Sequence, residues 1–189
     1  MKKNIVGLLV GSLLLPVVAQ ADDGWTFLAG TKDGYTAEPT ISLLAGQMAP
    51  GTSGVDSGSM SGIELSLNCP LLQPPTNRIR QQASLTQYDK AGIKITNFEI
   101  NPHYVVEVSP GLEVGGGPGL GYVTTDTANK NPSFWGLNVG LSAHYTAMAP
   151  LFIGAEYRYQ MTSKEDFGGS AGKDNLDNTR FDIKIGYSF

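Results

Sequence analysis

The sequence has little of what usually carries chemistry or staples a small fold. Its single cysteine rules out an internal disulfide and any cage of several thiolates. Cys69, next to Pro70, reads as a small apolar filler. There are two histidines, His103 and His144, and neither belongs to a His-Glu-x-x-His stretch that could seat a zinc ion. The glycines of Gly115-Gly116-Gly117-Pro118-Gly119 are not followed by Gly-Lys-Ser or Gly-Lys-Thr, so they make no phosphate loop. Basic residues are outnumbered, 13 Lys and Arg against 17 Asp and Glu, which excludes the electrostatic footprint of a nucleic-acid binder. No metal or other cofactor is expected. Beyond residue 21 no apolar run approaches the roughly 18 residues of a membrane-spanning helix.

What is present begins with a targeting pattern. Lys2 and Lys3 precede an apolar run from Ile5 to Val18, and Ala19-Gln20-Ala21 supplies a small-x-small cleavage site. Together these read as a secretory signal peptide over residues 1–21. Its removal would leave 11 Lys and Arg against 17 Asp and Glu, a formal charge of −6, in a chain of one-domain length.

Period-two alternation fills the remainder. Segments 36–46, 59–69, 77–87, 92–108, 112–123, 134–145, 151–161 and 178–189 alternate apolar with polar or small residues, and most reach the 9–11 residues with which a tilted strand crosses lipid. In the last segment Phe181, Ile183, Ile185, Tyr187 and Phe189 share one face, with Arg180, Asp182, Lys184 and Ser188 on the other. In the fifth, Glu113, Gly115, Gly117, Gly119 and Gly121 share the inward face, where absent side chains leave room for bulkier neighbours. The expected fold is therefore all-β, an eight-stranded antiparallel transmembrane up-and-down β-barrel over 36–189, preceded by a lead-in at 22–35 that either lies in the periplasm or extends the first strand. The same alternation could build a soluble, lipocalin-like periplasmic ligand carrier with its apolar parity inward.

In the fourth segment Ile93 and Ile95 lie on the opposite parity from Phe98, Ile100, Tyr104 and Val106. A bulge near Thr96-Asn97 is expected to bring both sets outward. An even strand count puts both ends of the barrel on the periplasmic side. Short links at 109–111 and 146–150, and the proline-rich 70–76, then face the periplasm. Links 47–58, 124–133 and 162–177, with a short hairpin at Asp89-Lys90-Ala91, face outward. Tyr122, Phe134, Trp135, Tyr157, Tyr159 and Phe181 are expected at the outer rim of the lipid face, and Tyr145, Phe152, Tyr187 and Phe189 at the inner rim.

Parity sends Arg78, Arg80, Lys94, Arg158, Arg180 and Lys184 inward together with Glu64, Glu99, Glu107, Glu113, Glu156 and Asp182. Eight strands enclose only enough space for side chains, so a paired polar core is expected rather than an open pore; a narrow diffusion channel is the alternative. His144 and Thr146, two apart on one face, could begin a nucleophile–base pair. His144-Tyr145-Thr146 resembles the His-x-Ser motif of outer-membrane lipid A deacylases, which implies a lipid A-modifying esterase. It departs from that family in Thr146 for serine and in Ala147-Met148-Ala149 for Asn-Ala-Gly. The carboxylates of 164–177 suit either a divalent cation or plain solvation of an exposed loop.

The leader, the eight alternating segments, the glycine-rich GLEVGGGPGLGY and the terminal Tyr187-Ser188-Phe189 together resemble the small outer-membrane β-barrel domains of Gram-negative bacteria, the OmpA-, OmpX- and Ail-like proteins. The resemblance covers the chain after residue 21. It implies a location in the cell outer membrane, a monomer, and contact with outer-membrane lipid and lipopolysaccharide. It also implies insertion by the barrel-assembly machinery reading Phe189. No separate peptidoglycan-binding domain is expected. The function implied is non-enzymatic: envelope structure, or contact of the outer loops with a host or envelope protein.

Overall fold

The computed structural model describes residues 24–52, 55–127, 130–166 and 173–189. The expected leader, 1–21, lies outside them. Eight long antiparallel strands close into a barrel: β2 (Thr40–Pro50), β3 (Gly58–Asn68), β5 (Arg78–Lys90), β6 (Ile93–Ser109), β7 (Leu112–Asp126), β8 (Ser133–Met148), β9 (Leu151–Thr162) and β12 (Asn178–Ser188). Each pairs with its neighbours in sequence, and β12 closes on β2 from Asn178↔Pro50 to Ser188↔Thr40. Short strands lie outside the barrel: β1 (Thr26–Phe27) pairs with β4 (Leu72–Gln73) at the periplasmic end, and β10 (Glu165–Asp166) with β11 (Lys173–Asp174) at the outer end.

The faces of the wall decide between membrane and soluble barrels. Leu43, Leu141 and Ile185 are 68, 65 and 62% exposed on the outside, whereas Arg158, Arg180 and Lys184 are 3, 2 and 0% exposed within. A soluble barrel would expose the charges and bury the leucines. The apolar wall faces lipid, and the lipocalin-like arrangement is ruled out.

Several expectations are corrected. The first barrel strand begins at Thr40, not 36. Glu38 sits at φ 44° and Pro39 has no amide to donate, so ladder pairing cannot start earlier. β6 holds one register against β5 from Arg78↔Val105 to Lys90↔Ile93, without a bulge at Thr96-Asn97. Ile95 consequently points inward, fully buried, and Lys94 points outward, exposed. The reason is that the outer end of the lumen is apolar. There Ile95 joins Met48, Met60, Tyr88, Val123, Phe134 and Leu176 in one cluster, with Phe134 inside rather than at the lipid rim. Irregular pairing occurs instead near the periplasmic turns, at Glu107 to Ser109 and at Tyr145 to Met148.

The outer turn between β5 and β6 is Ala91-Gly92, both at positive φ (53° and 78°), the two-residue geometry that matches strand twist. Between β6 and β7 the paired residues run from Lys94 to Ile100 and resume at Tyr104. That register sets Pro102 opposite Pro118, two residues unable to donate to a ladder. At the periplasmic end β1 is tied down by Leu28 N donating to Leu71 O at 2.7 Å and Gly30 N to Pro70 O at 2.8 Å. The Gln73 side chain bridges Cys69 and Ile79.

Candidate functional site

The inward parity of six strands assembles a buried network at the middle of the barrel. Glu99 of β6 is its hub. One oxygen accepts from Asn138 Nδ2 at 2.9 Å, Gln160 Nε2 at 3.0 Å and Arg180, while the other accepts from Arg158 Nη1 at 2.9 Å. Lys184 Nζ spans Glu64 at 2.8 Å and Glu156 at 2.7 Å. Arg158 also donates to Glu156 and to Gln82 Oε1 at 2.7 Å. Asp182 shares this interior face, in register with Glu156. His103 is held by Ser142 Oγ at 3.1 Å. Such charges are expensive to desolvate and stay in place because each cation meets a carboxylate.

Glycine makes the crowding feasible. A Cβ on Gly121 would come within 2.3 Å of Gln160 Nε2, and one on Gly186 within 2.1 Å of the Phe152 ring. Phe152 therefore turns inward and not, as its aromatic character suggested, toward the inner lipid rim.

Toward the periplasm the polar residues are looser. Arg80 donates to Ser66 Oγ and to the Glu38 carbonyl, both at 3.0 Å. Arg78 bridges Glu38, at 3.1 Å, and Glu113. Glu107 has the inward parity but lies past the end of the lumen, exposed, accepting from Gly111 N at 3.1 Å. A cavity of about 240 Å³ opens here, bounded by Glu38, Glu64, Arg78, Glu113, His144 and Phe152 among others.

His144 and Thr146 do not make a nucleophile–base pair. The imidazole meets the Phe152 ring edge-on, centroids 5.7 Å apart, and has no hydrogen bond among the described residues. Thr146 is exposed at the end of β8, its amide bonded to Gly111 O at 2.8 Å. With no proton path between them and no group orienting the ring, the pair lacks what acyl transfer requires.

At the outer end the cluster around Ile95 seals the lumen, with Leu176 of the β9–β12 connection inserted from above. Asp177 pins that connection, accepting from Thr162 N at 2.7 Å and Asn175 Nδ2 at 2.9 Å, and Asp166 is bound by Lys130 at 2.6 Å. Those carboxylates are engaged, and no group of three potential ligands for a metal occurs among the described residues.

The network also contains the neutral Gln82, Asn97, Asn138 and Gln160, for which inward parity is the signal in the sequence and charge is not. The apolar seal leaves no such signal, because alternation marks which residues share a face and not whether that face is wet.

A closed barrel with a lipid-facing apolar wall, a filled polar interior and both ends of its strands paired belongs to the class of outer-membrane β-barrels. The chain belongs to the outer membrane protein beta-barrel domain family, whose model matches residues 8–189. Among solved structures it is similar to Ail, the attachment invasion locus protein of Yersinia pestis, at 16% identity and a TM-score of 0.53, covering 82% of this chain and 100% of that one. Neisserial surface protein A matches at 14% identity and 0.53 over 88% and 99% of the two chains. The N-terminal barrel of Pseudomonas aeruginosa OprF matches at 14% and 0.52 over 82% and 100%. At these identities the likeness is one of fold. No curated protein matches the chain by sequence.

Proposed function

We propose that this protein is a non-enzymatic envelope barrel whose outer connections contact lipopolysaccharide or a protein of the host or envelope. The observation that carries the proposal is the doubly filled lumen. A charge network and an apolar seal lie in series between the two mouths, which leaves the outer connections as the surface free to meet a partner. The contact is assigned to links 47–58, 124–133 and 162–177, the last two of which are tied to each other by the Lys130–Asp166 ion pair. The attachment for which Ail is named supports a surface role by analogy only.

The test is a graft. The three connections are placed on an unrelated eight-stranded barrel, and binding to purified lipopolysaccharide and to fixed epithelial cells is compared with that of the parent. Binding that travels with the connections supports the reading; binding that stays with the original wall overturns it. Residues 1–21 are proposed to be cleaved, which predicts a mature chain starting at Asp22, and Phe189 is proposed to be the residue read by the insertion machinery.

A further inference from the structure

We infer that the β1–β4 ribbon is an interfacial anchor, with the Phe27, Leu28 and Leu71 side chains seated in the phospholipid leaflet on the periplasmic side of the membrane. The barrel closes without these side chains. They are 54, 57 and 63% exposed. Yet the backbone that carries them is fixed by the Phe27↔Leu72 pairing, by Leu28 N donating to Leu71 O at 2.7 Å and by Gly30 N donating to Pro70 O at 2.8 Å. Leu28 also holds φ 51°, in the left-handed region that glycine or asparagine enters at least cost. Little packing within the chain offsets that strain.

The place of the ribbon in the fold sets it beside lipid. β5 starts at Arg78, opposite Val105, while β6 runs on to Ser109. The chain that leads into β5 therefore passes along a stretch of β6 whose outward face, Val106 and Val108, still belongs to the apolar wall. It lies on the outside of that wall. Asn77 Nδ2 donates to the hydroxyl of Tyr104 at 2.9 Å, and this hydroxyl reaches Thr76 O at 3.4 Å, with Tyr104 itself on the lipid face. The Thr26–Gln73 end of the ribbon is tied to the wall through the Gln73 side chain, which donates to the Cys69 and Ile79 carbonyls. Phe27, Leu28 and Leu71 occupy the other end, so their exposed surface continues the one that already meets lipid.

Composition favours lipid over a protein partner. Residues 24–31 and 70–77 contain no Asp, Glu, Lys or Arg, in a chain of which 16% is charged. A surface turned to water or to the rim of a protein interface would carry such groups. Trp25, next to β1, is of the type that gathers at the headgroup level. Pro70, Pro74 and Pro75 flank β4 and deny an incoming peptide the run of amide donors that strand addition needs.

The experiment puts a single tryptophan on the ribbon, Phe27→Trp in a Trp25→Phe, Trp135→Phe background, with one full mature barrel per nanodisc. Its fluorescence is compared in phosphatidylcholine and in phosphatidylcholine brominated on the acyl chains, either near the headgroup or near the methyl end. A blue-shifted emission is expected that is lost in brominated lipid, and lost more with the shallow bromines, because an interfacial segment sits about 5–10 Å into the boundary of headgroup and acyl chain. The heat-shifted gel band shows that the barrel is folded; if Phe27→Trp does not fold, Leu71→Trp carries the same test. Emission as in water, quenched by acrylamide and untouched by bromine, would overturn the inference. A blue shift without bromine quenching would overturn it too, since protein and not lipid would then cover the ribbon.

Discussion

Replacing Glu99 by glutamine should lower the stability of the barrel by about 3–5 kcal/mol, the usual loss when one partner of a buried ion pair is removed. The magnitude runs through Arg180. Arg158 keeps Glu156 and Glu64 when Glu99 is neutralised, but the carboxylate paired with Arg180 is Glu99 alone among the described residues. Arg180 is 2% exposed and its Nε already lacks a partner, so its charge cannot turn to water. Whichever way the new amide turns, its NH2 group faces a guanidinium. The assay is urea unfolding of the refolded protein in detergent or phospholipid, followed by tryptophan fluorescence in a Trp25→Phe background, so that Trp135 on the lipid face reports alone. Glu107→Gln, exposed at the periplasmic end, is the control and should change stability by no more than about 0.5 kcal/mol. Adding Arg180→Met to Glu99→Gln removes the orphaned charge and should recover about 2 kcal/mol or more. A loss under about 1 kcal/mol, or a double variant no more stable than Glu99→Gln alone, would refute the pairing argument.

Other predictions test the remaining levels of the molecule. Leu176→Ala removes a buried knob from the outer seal and should cost about 2–3 kcal/mol by the same urea assay, at the lower end of the core range because a connection can settle inward; no measurable change would mean that the connection does not stop the lumen. Gly117→Ala would place a Cβ within 2.0 Å of the Pro102 carbonyl oxygen, and a backbone atom cannot step aside, so the heat-shifted folded band should be lost. By contrast Gly34→Ala, at φ 82° with no neighbour within 4 Å, should cost only about 1–2 kcal/mol of backbone strain; equal behaviour of the two glycine variants would contradict the close approach. In planar bilayers the unaltered protein should give no stepped conductance, and steps would show that the lumen is not closed.

The architecture is legible because a membrane barrel writes itself in parity. Seven of the eight long strands fall within a few residues of their alternating segments, and strand count assigns each connection to a side, including the long 70–76 link to the periplasm and the two-residue Ala91-Gly92 turn to the outside. Parity assigns a residue to a face, and the identity of that face is inferred from the chemistry of most of its members. Where the lumen turns apolar near its outer mouth, that inference sends Ile95 to lipid and Lys94 to the interior, each to the wrong side; aromatic character places Phe134 and Phe152 at the lipid rims, against the parity of their own strands, which points inward. The first strand starts late because Glu38-Pro39 is a backbone obstacle that hydrophobicity does not record. For the interior, charge is visible in the sequence but partnership is not. That Glu99 holds four donors while Glu107, of the same parity in the same strand, holds a turn amide depends on where the barrel ends.

The two-residue turn at Ala91-Gly92 has a consequence for how the protein is seen from outside the cell. The three other outer connections join their strands through longer segments, 51–57, 127–132 and 163–177, whereas β5 and β6 are joined by two residues. On that side a ligand arriving from outside would find little beyond the ends of the two strands. An antibody, phage fibre or bactericidal ligand would make most of its contact with the three longer connections, so sequence changes that escape such a ligand should concentrate there and spare the turn.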